Sequence, residues 1–384
     1  MTIPRQHPAR HCGTALKNFH CDHCNHHVFY ENVRCERCSH MLGFVEDSGQ
    51  INAFVPDGVD TWRSLAPEME DRRFRQCHNY AVHRVCNRMI PREDPQALCR
   101  SCRLTTIIPS LASDRNHKYW YRLERAKRRM LYTLVQLDLP VVPRHDDPER
   151  GLAFEFLEYV SGGTPVHTGH NDGLITINIA EADDAHRAST RVQMDERYRT
   201  LLGHFRHEIG HYYFMRLVED GPMIESCRDL FGDDRLDYGA ALQRHYDSGP
   251  PDNWQASYVS AYATMHPYED WAESWAHYMH MVDTLETAAA CGMSLEPENP
   301  IEPSMSAEPL DEDADAPSFR EMIERWLPLT YALNRLNRSM GTRDSYPFTL
   351  TPPVLRKLRF VHRVIRTGGL GPAPPVALLG GSPR

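Results

Sequence analysis

His204-Phe205-Arg206-His207-Glu208-Ile209-Gly210-His211 contains the pattern H-E-x-x-H within a run of helical spacing. Residues four apart on a helix share a face, so His207 and His211 present two imidazoles to a single Zn²⁺. Glu208 falls beside them, where it can take a proton from a water at the metal. With 22 histidines in 384 residues, unconnected core or surface histidines are the competing reading of the pentamer. Its surroundings favour the metal. Leu201, Leu202, Phe205, Ile209 and Leu217 are spaced to pack the back of the helix while the histidine face stays open.

Two histidines need a third protein ligand, with the fourth position left to water. Residues 258–281 offer candidates. His266-Pro267 opens a helix with Pro at its first position. Glu269, Glu273 and His277 then fall on one face, while Trp271, Trp275 and Tyr278 bury elsewhere around it. A carboxylate, Glu269 or Glu273, suits the third position, and His277 is its rival. A carboxylate one turn from the ligand can hold a ligand imidazole by its free N–H. Between the two helices, residues 231–246 predict a further helix entered through Asp233 and Asp234 as caps.

The N-terminal region has a different metal signature. Nine of the 11 cysteines lie in the first 102 residues, and six of these form three C-x-x-C pairs. That is metal spacing in a reducing compartment rather than a disulfide framework. Cys21, Cys24, Cys35 and Cys38 form two knuckles, and four thiolates satisfy a structural Zn²⁺ with no open position. Iron in a rubredoxin-like site has the same ligand set. Cys77, Cys86, Cys99 and Cys102 are more loosely spaced and mark a second structural zinc, with His78 or His83 able to replace a cysteine. Cys12 reads as a free thiol. Residues 28–30 and 43–45 read as short strands. A region this small, with few large apolar residues, calls for metal staples.

The formal charge of −9 argues against a general nucleic-acid or anionic-membrane binder, and no apolar run approaches a membrane span. No secretory signal is evident, so a cytoplasmic location is expected. Trp120, Leu123, Met130, Leu131 and Leu134 predict a helix whose other face, Arg122, Arg125, Lys127, Arg128 and Arg129, reads as solvated. Residues 151–159 and 174–179 predict strands, the second either a sheet edge for an extended peptide or an ordinary core strand. His167 and His170 read as loop histidines. Helices are expected around Phe319–Leu336 and over 352–365. The resulting division is a zinc ribbon over 1–50 and a second cysteine module over 51–110. A catalytic domain over 111–366 follows, with a mobile acidic segment at 296–317, and then a disordered tail over 367–384.

The order of parts resembles the bacterial family of zinc-binding metallopeptidases with an N-terminal zinc ribbon. The likeness lies in the cysteine knuckles, Thr168-Gly169-His170, Ile177-Asn178-Ile179-Ala180-Glu181-Ala182-Asp183, the run from Tyr198 to Tyr213, and His266-Pro267-Tyr268-Glu269-Asp270-Trp271-Ala272-Glu273. More distantly, Glu269-Asp270-Trp271-Ala272-Glu273 is similar to the E-x-x-A-E helix of lethal-factor-type gluzincins, with Asp270 and Trp271 where that helix carries an aromatic pair. The resemblance implies an α+β fold. A zincin-like domain, with an active-site helix, a small sheet and a mostly helical C-terminal half, follows a small zinc-ribbon region. It also implies Glu269 as the third ligand, Glu273 in the outer shell and Tyr262 steadying the oxyanion. The expected activity is zinc-dependent hydrolysis of peptide or protein substrates, with one catalytic and one or two structural Zn²⁺. A protein partner bound through the ribbon fits the same layout. The alternatives are a zinc-ribbon adaptor for protein or nucleic acid whose zincin-like domain is not proteolytic, and a hydrolase of a non-peptide amide.

Overall fold

A computed structural model describes residues 18–159, 166–193, 199–296, 299 and 319–369. Cys12, Tyr198, nearly all of the acidic segment 296–317 and the tail beyond residue 369 lie outside the described residues. The chain forms two compact units. One takes in the described residues of Met1–Arg103, Trp120–Arg125 and Val282–Arg343, and the other those of Leu104–Tyr119, Ala126–Met281 and Asp344–Arg384.

In the first unit, β1 (Phe19–His20) and β2 (His27–Val28) pair as a short antiparallel ribbon, and Tyr30 already lies in a turn. Five strands follow: β3 (Met41–Val45), β4 (Gln50–Pro56), β5 (Trp62–Ser64), β6 (Arg73–Gln76) and β7 (Arg88–Pro91). They close into a barrel, because β3 also pairs in parallel with β7, Phe44 opposite Arg88. Gly43 permits that closure, since a Cβ there would lie 2.4 Å from Met89 Cγ. Val45, Phe54, Phe74, Met89 and Ile90 fill the core together with Cys77, Cys86, Cys99 and Cys102. Two short helices, α1 (His78–Ala81) and α2 (Arg100–Arg103), lie beside these cysteines in sequence. Metal is therefore not the only support of residues 51–110. The barrel escapes a sequence reading because several strands are only three or four residues long, too short to display a period.

The second unit holds a four-stranded sheet in the order β10 (Gly169–Asn171), β11 (Leu174–Asn178), β9 (Ala153–Leu157), β8 (Thr105–Ile107). β8, β9 and β11 run parallel, and β10 returns antiparallel on β11. Of the two readings of 174–179, the core strand holds and the sheet edge does not: β11 is internal, and β10, carrying His170, forms that edge. The helix α3 (Asp114–Gln136) starts at Ser113, whose side chain accepts from the Arg115 N–H. Its basic face is only partly solvated. Arg125 and Arg129 are exposed, but Lys127 and Arg128 are buried, with Lys127 Nζ bonded to Thr105 Oγ1 and 5.5 Å from the Phe154 ring centre. The stem and ammonium of Lys127 thus join the aromatic layer that the basic pattern concealed.

After α4 (Asp184–Gln193) comes α5 (Leu201–Leu217), capped by Thr200, whose hydroxyl accepts from Gly203 N. Phe205 packs against Phe154 and Phe156 of β9, seating α5 on the sheet. From Phe205 to Leu217 only His207 and Arg216 are not fully buried. The helix is thus buried nearly all round, rather than on one face as its leucines suggested. The helix predicted over 231–246 starts later, at Tyr238, and a separate helix ends where it was expected to begin. α6 (Ile224–Phe231) stops at Gly232, whose φ of 102° suits glycine, and α7 (Tyr238–Ser248) begins at Asp237, which accepts from Ala240 N. The capping roles expected of Asp233 and Asp234 are corrected by this: Asp233 holds Arg235 and Asp234 holds Arg228. α8 (Pro267–Ala290) has Pro at its first position, and His266 Nδ1 accepts from Tyr268 N. α9 (Phe319–Ser339) and α10 (Pro352–Thr367) complete the elements.

Candidate metal centre

α5 and α8 cross at Gly210. A Cβ there would sit 3.1 Å from both Ala272 Cα and Trp275 Cβ, and the Trp271 indole N–H donates to the Gly210 carbonyl at 2.8 Å. Glycine between the two histidines therefore lets the helices approach closely, and the approach brings distant side chains together. His207 Nε2 lies 2.9 Å from Glu269 Oε2 and 3.2 Å from His211 Nε2, and His211 Nε2 lies 3.4 Å from Glu269 Oε1. His207, His211 and Glu269 form one group of possible metal ligands, and His277 is outside it. His277 Nδ1 is instead bonded to the Tyr346 hydroxyl at 2.7 Å.

The donor set fits a cation. Glu273 Oε1 lies 2.7 Å from His207 Nδ1, as an acceptor for that ring N–H. His207 Nε2 is then a lone pair facing a carboxylate oxygen and a second imidazole. Only a positive charge, a proton or a metal ion, makes that arrangement favourable. Two imidazoles and one carboxylate are a familiar ligand set for zinc with an open position. Burial opposes the charge on Glu269, but the neighbouring His211 and His207 hold it well below the usual carboxylate range. Glu273 is half-buried; desolvation opposes its charge too, and the His207 hydrogen bond brings its pKa down to about 2. Ser260 Oγ donates to its other oxygen at 2.6 Å.

Glu208 is different. It is 7 % exposed, and its Oε2 has no hydrogen-bond partner among the described residues. Burial raises its pKa, against the pull of His207 and His211. A cleft of about 600 Å³ runs past it, lined in part by His207, Glu208, Tyr262 and Glu273. The Tyr262 ring centre lies 5.9 Å from that of His207, and burial and then the charge of Glu269 push its hydroxyl pKa up. His207, His211 and Glu269 thus converge on one point in the second unit, with Glu208, Tyr262 and Glu273 near them and His277 apart.

Four participants were not foreseen from sequence. Ser260 braces Glu273. Tyr238 donates to Glu269 Oε1 at 3.0 Å. The Tyr268 ring lies over His211 with centres 4.1 Å apart, and its hydroxyl reaches His170 Nδ1 at 3.4 Å. His170 also stacks near His211, and burial brings its pKa down to about 3. Thr168-Gly169-His170 was singled out by resemblance, which was the only signal for His170. Ser260 and Tyr238 carry none, since one lies in a loop and the other on a helix read with the wrong start.

The cysteines make two further groups in the first unit, Cys21/Cys24/Cys35/Cys38 and Cys77/Cys86/Cys99/Cys102. Sulfur separations are 3.5 Å for Cys21–Cys38, 3.6 Å for Cys24–Cys35 and 3.8 Å for Cys86–Cys99. A tetrahedron with Zn–S bonds of ~2.3 Å has edges of about 3.8 Å, so the sulfurs fit a closed four-thiolate site. The two knuckles are built alike. Asn25 and Ser39, each just after its C-x-x-C pair, adopt positive φ and return their N–H to the carbonyls of Cys21 and Cys35. His78 and His83 do not join the second group. His40 Nδ1 lies 3.4 Å from Cys38 Sγ.

A cysteine ribbon followed by a helix-and-sheet unit with a two-histidine, one-carboxylate donor set is the make-up of a metal-binding protein. The chain belongs to the family described as "Putative zinc-binding metallo-peptidase", whose profile matches residues 116–364, and residues 18–113 match a zinc-ribbon domain. Uncharacterized proteins of Mycobacterium tuberculosis and Mycobacterium bovis are 44% identical to it over 352 residues, which cover 91% of this chain and 95% of each relative. No solved structure matches the chain.

Proposed function

We propose that this protein is a zinc-dependent peptidase of zincin type. His207, His211 and Glu269 hold the metal, which when bound supplies a Lewis acid and acidifies a water. Glu208 accepts the proton of the attacking water and delivers it to the leaving amine. Tyr262, facing the cleft, donates to the oxyanion as the carbonyl turns tetrahedral. Glu273, braced by Ser260, keeps His207 in one tautomer. The cleft takes an extended stretch of peptide or protein past Glu208.

The observation that carries this reading is the buried, unpartnered oxygen of Glu208, a residue that lines the cleft beside three converging donors. A buried carboxylate oxygen without a partner is costly, and it is tolerated where a reacting group completes it. A digest of a peptide library by the zinc-loaded protein tests the proposal, with Glu208→Gln as the blank. The variant should keep its fold and its metal and lose roughly two orders of magnitude or more in rate. Cleavage at equal rates by both proteins removes Glu208 from the mechanism. No cleavage by either favours the adaptor reading of the ribbon.

A further inference from the structure

We propose that Tyr238, at the start of α7, is a positioning residue that holds Glu269 to a single ligating oxygen and so keeps the fourth place at the metal open. The inference rests on the peptidase reading of the site.

A carboxylate has two oxygens, and both oxygens of Glu269 face the histidine pair. Oε2 lies 2.9 Å from His207 Nε2, and Oε1 lies 3.4 Å from His211 Nε2. Nothing in the carboxylate itself prevents both from ligating one ion. A second oxygen there would occupy the position that a hydrolytic site leaves to water. The Tyr238 hydroxyl donates to Oε1 at 3.0 Å. That bond occupies one of the two lone pairs of Oε1 and draws off part of its charge, which makes Oε1 the weaker ligand atom of the two, and a hydrogen bond to an ionised oxygen is strong. Glu269 is 2 % exposed, so water does not compete for Oε1. Oε2 remains as the ligand atom.

Each donor is then held by a different residue. Glu273 fixes His207, Tyr268 lies over His211, and Tyr238 fixes Glu269. The Tyr238 ring centre is 5.4 Å from that of His266, the residue that caps α8 just before Glu269. α7 and the first turn of α8 are thereby joined at the ligand. Tyr238 follows Asp237, the α7 cap, so the start of the helix sets where the hydroxyl stands.

Tyr238→Phe removes the hydroxyl and little else. The probe is Co²⁺, placed in the histidine site of the full-length protein by chelator exchange while the cysteine groups stay zinc-filled. The spectrum of His211→Ala treated in the same way is subtracted. Wild type should show the intense visible bands of four-coordinate cobalt, and Tyr238→Phe the weaker bands of five-coordinate cobalt. Zinc competition should show ~10–100-fold weaker binding by the variant, the usual cost of losing an outer partner. If peptide cleavage is measurable, kcat should fall with KM held. Circular dichroism and an unchanged zinc content in the cysteine groups report that the variant is folded. Identical cobalt spectra and zinc affinities in the two proteins overturn the inference even if the protein proves to be a peptidase. A wild type that spectroscopically matches the inference but cleaves nothing removes the peptidase reading alone. No cobalt at the histidine site of wild type removes both.

Discussion

Glu269 and Glu273 stand four residues apart on one helix, yet the structure gives them different surroundings. Glu269 faces both imidazole Nε2 atoms, whereas Glu273 reaches only the far nitrogen of His207. That difference allows their roles to be separated by metal affinity. Loss of an outer-shell carboxylate typically costs ~10–100-fold, and loss of a direct ligand costs more. Glu269→Ala should therefore bind zinc more weakly than Glu273→Ala, with both variants folded, as measured by competition with a chromophoric chelator. His277→Ala should leave the histidine-site zinc in place, because its ring is engaged with Tyr346. A His277→Ala protein that loses this zinc while Glu269→Ala retains it would mean a three-histidine site.

α5 and α8 form the device that brings these residues together, and its tightest point is Gly210. Helix interiors disfavour glycine by about 1 kcal/mol relative to alanine, so on propensity alone Gly210→Ala should stabilise the protein. The packing argues the other way. The new Cβ would meet Ala272 Cα and Trp275 Cβ at 3.1 Å and Trp275 Cδ1 at 3.2 Å. One of these is backbone and the others belong to the fully buried side chain of Trp275, so α8 must move by a few tenths of an ångström. Overpacking of this kind costs about 1–3 kcal/mol, which outweighs the propensity gain. Gly210→Ala should lower the melting temperature and weaken zinc binding together, since the shift separates Glu269 from the two histidines. A higher melting temperature with unchanged zinc affinity would show that the crossing has slack.

Across the whole molecule, the two four-cysteine groups and the histidine group among the described residues differ in what a bound metal would do. The two four-cysteine groups offer no open position, and their sulfurs sit among the knuckle turns and in the barrel core. Metal bound there would support the fold of the first unit. The purified protein should carry three equivalents of zinc, one for each donor group. Cys35→Ser should lose one equivalent and unfold the knuckle pair, leaving zinc at the histidine site. Elemental analysis finding at most one metal per chain would contradict the double-ribbon reading. The barrel adds a second support, so Cys99→Ser should leave more residual structure than a region stapled by metal alone, measurable as protection of the barrel amides from exchange. Among the described residues no helix is long and apolar enough to cross a membrane.

What the amino-acid sequence determined by itself is the chemistry of spacing. The C-x-x-C turns, the two histidines of α5 and the paired glutamates of α8 all place their groups within four residues of one another. Over that distance the local backbone alone decides which side chains meet. The start of α8 at Pro267 was legible for the same reason. What only the tertiary structure decided lies between segments far apart in the chain. The barrel closes through β3 and β7, β11 lies inside its sheet rather than at the edge, and Lys127 turns inward onto aromatic rings. Ser260 reaches Glu273, and Tyr238 reaches Glu269 across 31 positions. Such partners leave no periodic trace. A tyrosine bonded to a buried carboxylate has the same local sequence as one that merely covers a helix, and the difference appears only when the fold sets its hydroxyl 3.0 Å from the Glu269 oxygen.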